Sequence, residues 1–317
     1  MQQASLSAES PSGPRWVLVF LFLCAPLLFA SNMVAARWLS GLVPPVTLGF
    51  GRWLVAALVL LPVVWAPLRR GALRRAPAGI LALLALLGGV VSVAPQYGAA
   101  AYTSAGNIAL IAAMSPLLVA LIERVVWGVP LRLSVVGGIA CAFAGIAIAT
   151  FRGDLAALLR LEFNPGDALM FGAILAWAGY TALLRHRPVG LPPLLLLWVV
   201  AAGGALGMAP LLLLEWSSLG VPELDVRAVW GMLFLGLVAG IGAYGAFARV
   251  VSQVGAARAS MSMYLIPAYA LALGAALLGE SLHAYHAVAM ALVLGGVALG
   301  TVRWPAPARL RARPLST

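Results

Sequence analysis

The sequence predicts an all-α integral membrane protein with ten transmembrane helices laid out as two inverted five-helix repeats. Three observations carry that fold class. Apolar residues make up 63% of the 317-residue chain and only 9% are charged; a soluble fold of this size could not hide so much apolar surface, so the bilayer must act as solvent. Stretches long enough to cross a ~30 Å hydrocarbon core recur at 16–38, 45–66, 79–100, 105–126, 133–151, 167–185, 193–214, 229–250, 257–278 and 284–302. Finally, prolines fall on prolines. Pro44, Pro45 and Pro62 meet Pro192, Pro193 and Pro210 at a shift of 148, and Pro116 meets Pro267 at a shift of 151. From there to Thr150 and Thr301 the copies align without a gap, laying Gly128-Val129-Pro130-Leu131 over Gly279-Glu280-Ser281-Leu282 and Gly145 over Gly296.

Taken in order, 1–15 is a cytoplasmic tail. Met1–Pro14 is polar and Ser-rich, and Trp16–Ala30 runs into a full span rather than a short apolar core with a cleavage site. The first repeat fills 16–151, a linker 152–166, the second repeat 167–302, and a basic cytoplasmic tail 303–317. Within the linker, Asp154–Leu161 suits a short interfacial helix, and Asn164-Pro165-Gly166-Asp167 a turn ending in a cap for the sixth span. Five spans per repeat is odd, so the second copy crosses the membrane upside down; inverted repeats place a binding site near the midplane, on the pseudo-two-fold axis. The pairs Gly88-Gly89, Gly137-Gly138, Gly203-Gly204 and Gly295-Gly296 permit close helix contact. Pro116 and Pro267 each remove a helical hydrogen bond and bend the fourth and ninth spans. They are the expected gating positions, with a packing role as the alternative.

All twenty basic residues are arginine and the net charge is +11. Fifteen fall on the cytoplasmic side of the ten-span layout, at Arg15, Arg69–Arg75, Arg124, Arg132, Arg185, Arg187, Arg249, Arg258 and the tail Arg303–Arg313. Four fall outside (Arg37, Arg152, Arg160, Arg227) and Arg52 is left within a span. This positive-inside bias puts both termini in the cytoplasm of a multi-pass inner-membrane protein. A nucleic-acid partner is excluded, because that patch needs a folded soluble face with interleaved aromatics. The small-molecule substrate and the lipid bilayer are the expected partners, and the assembly a monomer or homodimer.

The stretch Tyr244-Gly-Ala-Phe-Ala-Arg-Val-Val-Ser-Gln-Val-Gly-Ala-Ala-Arg-Ala-Ser260, followed by Leu265-Ile266-Pro267 and Leu278-Gly279-Glu280-Ser281-Leu282, resembles the eighth and ninth spans of the EamA-type branch of the drug/metabolite transporter superfamily. Pro44–Trp53 resembles the start of its second span, and Thr103-Ser104-Ala105-Gly106-Asn107 with Ser115-Pro116 its fourth. The resemblance covers about 16–302 and implies ten helices around a central cavity and transport, often export, of small metabolites. The Gly-Glu pair that commonly closes the family's fourth and ninth spans is present as Gly279-Glu280; the first copy has Gly128-Val129, which leaves that carboxylate without a counterpart.

Candidate substrate-binding residues are polar or aromatic groups at depth. Arg52 lies eight residues past Pro44, on the order of 12 Å into its helix. A charge there costs ~2.5–3.5 kcal/mol, so it needs a partner, water or the interface. It suits a substrate carboxylate, or else a structural tie or an outward-snorkelling side chain. Asn32 in the first span meets Tyr180 at the 148 shift, and Phe29 meets Trp177. Gln96 and Tyr97 follow Pro95 in the third span, and Tyr244 holds the same place in the eighth, each tyrosine before Gly-Ala. Asn107 and Tyr264 complete the set, with Tyr102 beside them. Trp177 is the tryptophan expected to line the cavity. Trp38, Trp53, Trp65, Trp127, Trp216, Trp230 and Trp304 sit near span ends and suit interfacial belts.

No catalytic residues, cofactor or metal are expected. His186, His283 and His286 lie near span ends without a nucleophile or ligand set, and Cys24 and Cys141 sit in apolar spans as packing residues. An enzyme is therefore disfavoured, and the duplicated halves disfavour a receptor without flux. The expected function is a secondary transporter, exporting small metabolites such as amino acids by alternating access. The alternatives are an exporter of cationic or amphipathic drugs, or an uptake permease for a sugar or nucleoside. Since Glu123 and Glu280 sit at helix ends and no acid lies mid-span, transport is expected to be facilitative or coupled through peripheral groups.

Overall fold

Long apolar runs bounded by prolines and glycines become helices whose backbone groups are satisfied internally. The computed structural model describes residues 15–154, 164–254, 259 and 262–301, and every regular element among them is helical. The helices are α1 (Arg15–Leu39), α2 (Pro45–Arg69), α3 (Ala78–Ala99), α4 (Ala105–Ala113), α5 (Ser115–Trp127), α6 (Leu133–Thr150), α7 (Pro165–His186), α8 (Pro193–Leu219), α9 (Val226–Val251), α10 (Ile266–Leu278) and α11 (Ala284–Thr301). Seven are long and apolar enough to cross a membrane; α4 and α5, bent by 41°, make an eighth if they form one span, and α10 and α11 are shorter apolar helices. The tails 1–14 and 302–317, most of the linker helix expected over Asp154–Leu161, and 255–258 with 260–261 lie outside the described residues.

Packing follows the small residues. A Cβ added to Gly138 on α6 would run into the Gly296 carbonyl on α11; one on Gly145 would stand 2.8 Å from the Ala289 carbonyl. Lower numbers on one helix thus meet higher numbers on the other, so the two run antiparallel. The 151 shift turns Gly138 into Ala289 and Gly145 into Gly296, so it exchanges these two contacts with each other. Helices α2 and α8 are likewise antiparallel: Trp53 abuts Gly204, Trp198 Nε1 donates to the Ala57 carbonyl at 3.1 Å, and the Glu215 carboxylate accepts from Val46 N, Thr47 N and Thr47 Oγ1 at 2.9, 2.8 and 2.7 Å. That carboxylate occupies the positive N-terminus of α2, which has no cap of its own.

Two interruptions shape the interior. Helices α3 and α9 each contain a six-residue π segment, Leu86–Val91 and Leu237–Gly242, again 151 apart in sequence. Helices α4 and α5 break at Met114, with Pro116 in the first turn of α5, as the bend expected there requires. Pro267 likewise stands in the first turn of α10, behind a 3₁₀ turn, Met263–Leu265, where its missing N–H costs nothing.

Two further expectations are corrected. Trp53 is 1% exposed and no belt residue, because its Nε1 donates to the Gly89 carbonyl at 2.7 Å. Trp127 and Trp216 are half-buried near helix ends, where Trp127 stacks on His186 at 4.3 Å and Trp216 Nε1 donates to Thr47 Oγ1 at 3.0 Å. The cap of α7 is Asn164, whose Oδ1 accepts from Gly166 N at 2.8 Å; Asp167 lies one turn in, buried, with neither carboxylate oxygen bonded. Trp38, Trp65 and Trp230 are exposed, as a belt requires.

Candidate functional site

Arg52 is the centre of the buried polar interior. Starting α2 at a proline pair sets it two turns deep, where it is 5% exposed. Its Nη1 donates to Tyr97 Oη on α3 at 3.0 Å and to Asn32 Oδ1 on α1 at 3.5 Å, while Tyr97 Oη donates to the same Asn32 oxygen at 3.1 Å. Three helices thus meet in a closed triangle of polar atoms. The guanidinium carbon also lies 4.5 Å from the Trp53 ring and 6.0 Å from the Tyr97 ring, so aromatic faces share the cation. Arg52 does not snorkel outward; it ties α2 to α1 and α3 through side-chain oxygens.

The triangle leaves capacity unused. Arg52 Nε is buried without a partner, and every group on the guanidinium among the described residues is neutral. Bare backbone faces that nitrogen, since a Cβ added to Gly240, in the π segment of α9, would stand 4.0 Å away. A buried cation with neutral neighbours and a free N–H is complementary to an anionic oxygen, which would supply both the missing charge and the missing acceptor.

Beside it stands an aromatic wall. Phe29 on α1 meets Tyr244 edge-on at 5.3 Å and Phe247 at 6.3 Å; Trp177 stacks on Tyr180 at 5.0 Å and meets Tyr244 edge-on at 6.3 Å. Phe29 lies three residues before Asn32 on α1, on the same helix face, which joins wall and triangle. Tyr180 packs over Gly88, in the π segment of α3, where an added Cβ would lie 2.8 Å from its ring. Of the predicted lining residues, Asn32, Arg52, Tyr97, Trp177, Tyr180 and Tyr244 therefore converge.

The others do not. Gln96 is half-buried and no hydrogen bond draws it into the triangle. Asn107 belongs to the contact between α4 and α6: Ser104 Oγ accepts from its backbone N–H at 3.1 Å, its Nδ2 donates to the Ala149 carbonyl at 3.5 Å, and its Oδ1 is buried unbonded. Tyr264 packs half-buried in the 3₁₀ turn before α10, and Tyr102 is exposed. Pro116 and Pro267 stand at helix starts.

The EamA-like transporter family matches this sequence twice, over residues 16–151 and 164–302. The chain belongs to that family. It is 26% identical over 207 residues to the uncharacterized transporter YyaM of Bacillus subtilis (strain 168), covering 64% of this chain and 67% of that protein. An uncharacterized transporter of Archaeoglobus fulgidus is 25% identical over 269 residues, 82% of this chain and 88% of that one. A solved crystal structure shares the fold with a TM-score of 0.57 at 22% identity, covering 90% of this chain and 97% of its own.

Two polar clusters at helix ends went unnoticed in the sequence. Near the end of α5, Glu123 is 6% exposed; its Oε1 lies 3.1 Å from His186 Nε2 and 3.2 Å from Arg185 Nη1, both on the last turn of α7. At the start of α4, Ala105 N donates to Glu280 Oε1 at 3.1 Å, and Arg37 Nε on α1 lies 3.8 Å from the same oxygen. The acidic residues do sit at helix ends as expected. Their burial is what the sequence did not disclose.

Proposed function

We propose that this EamA-family member is a secondary transporter that exports small carboxylate-bearing metabolites, such as amino acids, across the inner membrane by alternating access. Ten spans in two inverted repeats, 16–151 and 167–302 joined by 152–166, carry the motion, with both termini cytoplasmic and the tails 1–15 and 303–317 in the cytosol. The apolar helices, the twofold family match and the exchange of the α6–α11 contacts under the repeat shift support that layout.

The observation that carries the substrate assignment is Arg52, buried with neutral partners and an unbonded Nε. A carboxylate takes the Arg52 fork, and the Phe29–Trp177–Tyr180–Tyr244 wall takes a partly apolar body. A fixed buried cation also disfavours cationic drugs through like-charge repulsion. Counterflow into liposomes, run across amino acids, other carboxylates, sugars, nucleosides and cationic drugs, tests this. Flux of carboxylates or amino acids is the expected result; flux confined to sugars, nucleosides or cations would overturn it.

A further inference from the structure

The two helix-end clusters are copies of one device. Helix α5 ends on Gly128 and α10 on Gly279, both left-handed with φ of 71° and 68°. In each case the next residue folds back on the helix: Val129 N donates to the Glu123 carbonyl at 3.2 Å, and Glu280 N to the Gly274 carbonyl at 3.1 Å. This glycine-terminated turn brings the residue after the glycine over the one six positions earlier. By the 151 shift Glu123 corresponds to Gly274 and Val129 to Glu280. The first repeat therefore carries its carboxylate on the helix and the second carries it on the returning chain, yet they reach the same place. A Cβ added to Gly274 would stand 2.5 Å from Glu280 Oε2.

The arginines correspond as well. Arg37 and Arg185 are mates at the 148 shift, each in the last turn of its helix, and each faces the carboxylate supplied by the other half: Arg185 meets Glu123, and Arg37 meets Glu280. Glu280 sits at Ala105, where α4 begins, and Glu123 is 18 residues further along, or roughly 27 Å of helix. The two pairs thus lie at opposite ends of the bundle.

We propose that Glu123–Arg185 and Glu280–Arg37 are the inner and outer gate latches of the transporter, one related to the other by the repeat symmetry. This rests on the alternating-access reading above. Each latch joins the two halves only at its own face, so breaking one frees that mouth while the other holds. They differ in geometry. The Glu123 side chain is 8% exposed and also bonds His186, but its partner Arg185 is 68% exposed at 3.2 Å; the outer pair is 36% and 17% exposed at a separation of 3.8 Å, beneath a surface hollow lined by Arg37, Trp38, Ser40, Leu278 and Glu280. A pair with a solvent-exposed partner shifts an equilibrium only modestly, so both latches act through small biases.

The test reads access to the aromatic wall without needing a substrate. A reporter Phe29→Cys is placed in a Cys24→Ser, Cys141→Ser background and labelled with an impermeant maleimide in right-side-out and inside-out membrane vesicles. Glu280→Gln, which keeps an acceptor for Ala105 N, should raise labelling from the outside about threefold and lower it from the inside. Glu123→Gln should do the reverse, with an inside gain of about threefold. Exchanging charges as Glu123→Arg with Arg185→Glu should restore the parent pattern, and this decides the matter if the single variants do not fold. Equal changes at both faces, no change in either variant, or an exchange variant that labels unlike the parent would overturn the latches. Counterflow by the unaltered protein is scored separately, so failure to transport would remove the transporter reading without touching the labelling result.

Discussion

Replacing Arg52 by Met isolates the charge, because Met fills much of the same volume without a polar atom. Restoring an apolar side chain at that depth removes a cost of ~2.5–3.5 kcal/mol. Against this, the bond to Tyr97 Oη at 3.0 Å is lost, worth about 1.5–3 kcal/mol when one partner is charged. The 3.5 Å contact to Asn32 is too long to add much. Tyr97 and Asn32 keep each other as partners at 3.1 Å, so neither is orphaned. The terms nearly cancel, and the melting temperature of the detergent-solubilised protein should stay within a few degrees of the parent. Transport should weaken. A carboxylate deprived of a charge-assisted bond loses about 1.5–3 kcal/mol, or roughly 10- to 150-fold in affinity, read as a higher half-saturation concentration in counterflow. Unchanged counterflow together with a large fall in melting temperature would refute the reasoning and make Arg52 a structural tie.

Trp177→Ala removes the face that stacks on Tyr180 at 5.0 Å; half-saturation for substrates with an apolar body should rise about tenfold, while substrates lacking one change little in the same assay. Gly138→Val forces a side chain into the Gly296 carbonyl and should cost about 3 kcal/mol through overpacking, seen as a lower melting temperature. Glu215→Ala uncaps α2 and releases Val46 N and Thr47 N, costing about 1–2 kcal/mol; thermal unfolding should report that loss, and Glu215→Gln should recover part of it.

Sequence periodicity and the aligned prolines disclosed the helices and the duplicated plan, because a membrane leaves the backbone few choices. That six of the singled-out residues meet in the interior was legible for the same reason: a polar or aromatic group at depth must face protein. Depth does not fix which side of a helix a residue faces, and Asn107 turns to α6. Trp53 looked like a belt residue by position alone, whereas its indole sought the Gly89 carbonyl. The matching of Glu123 with Glu280 was invisible to alignment, since a turn and not a column joins them. Glu215 gave no signal at all, as its partners lie 168 and 169 residues away.

The π segments of α3 and α9 bear on how any relative of this chain should be compared with it. Each wide turn accommodates an additional residue, and a residue is worth about 100° of rotation. Beyond Val91 and Gly242, a helical wheel drawn from the start of either helix therefore points about a quarter-turn wrong. Tyr97 and Tyr244 lie in those stretches, and an undisturbed spiral would swing each phenol away from the direction it now takes. Deleting a single residue from Leu86–Val91 would rotate Tyr97 off Arg52 while leaving the composition of the span almost untouched.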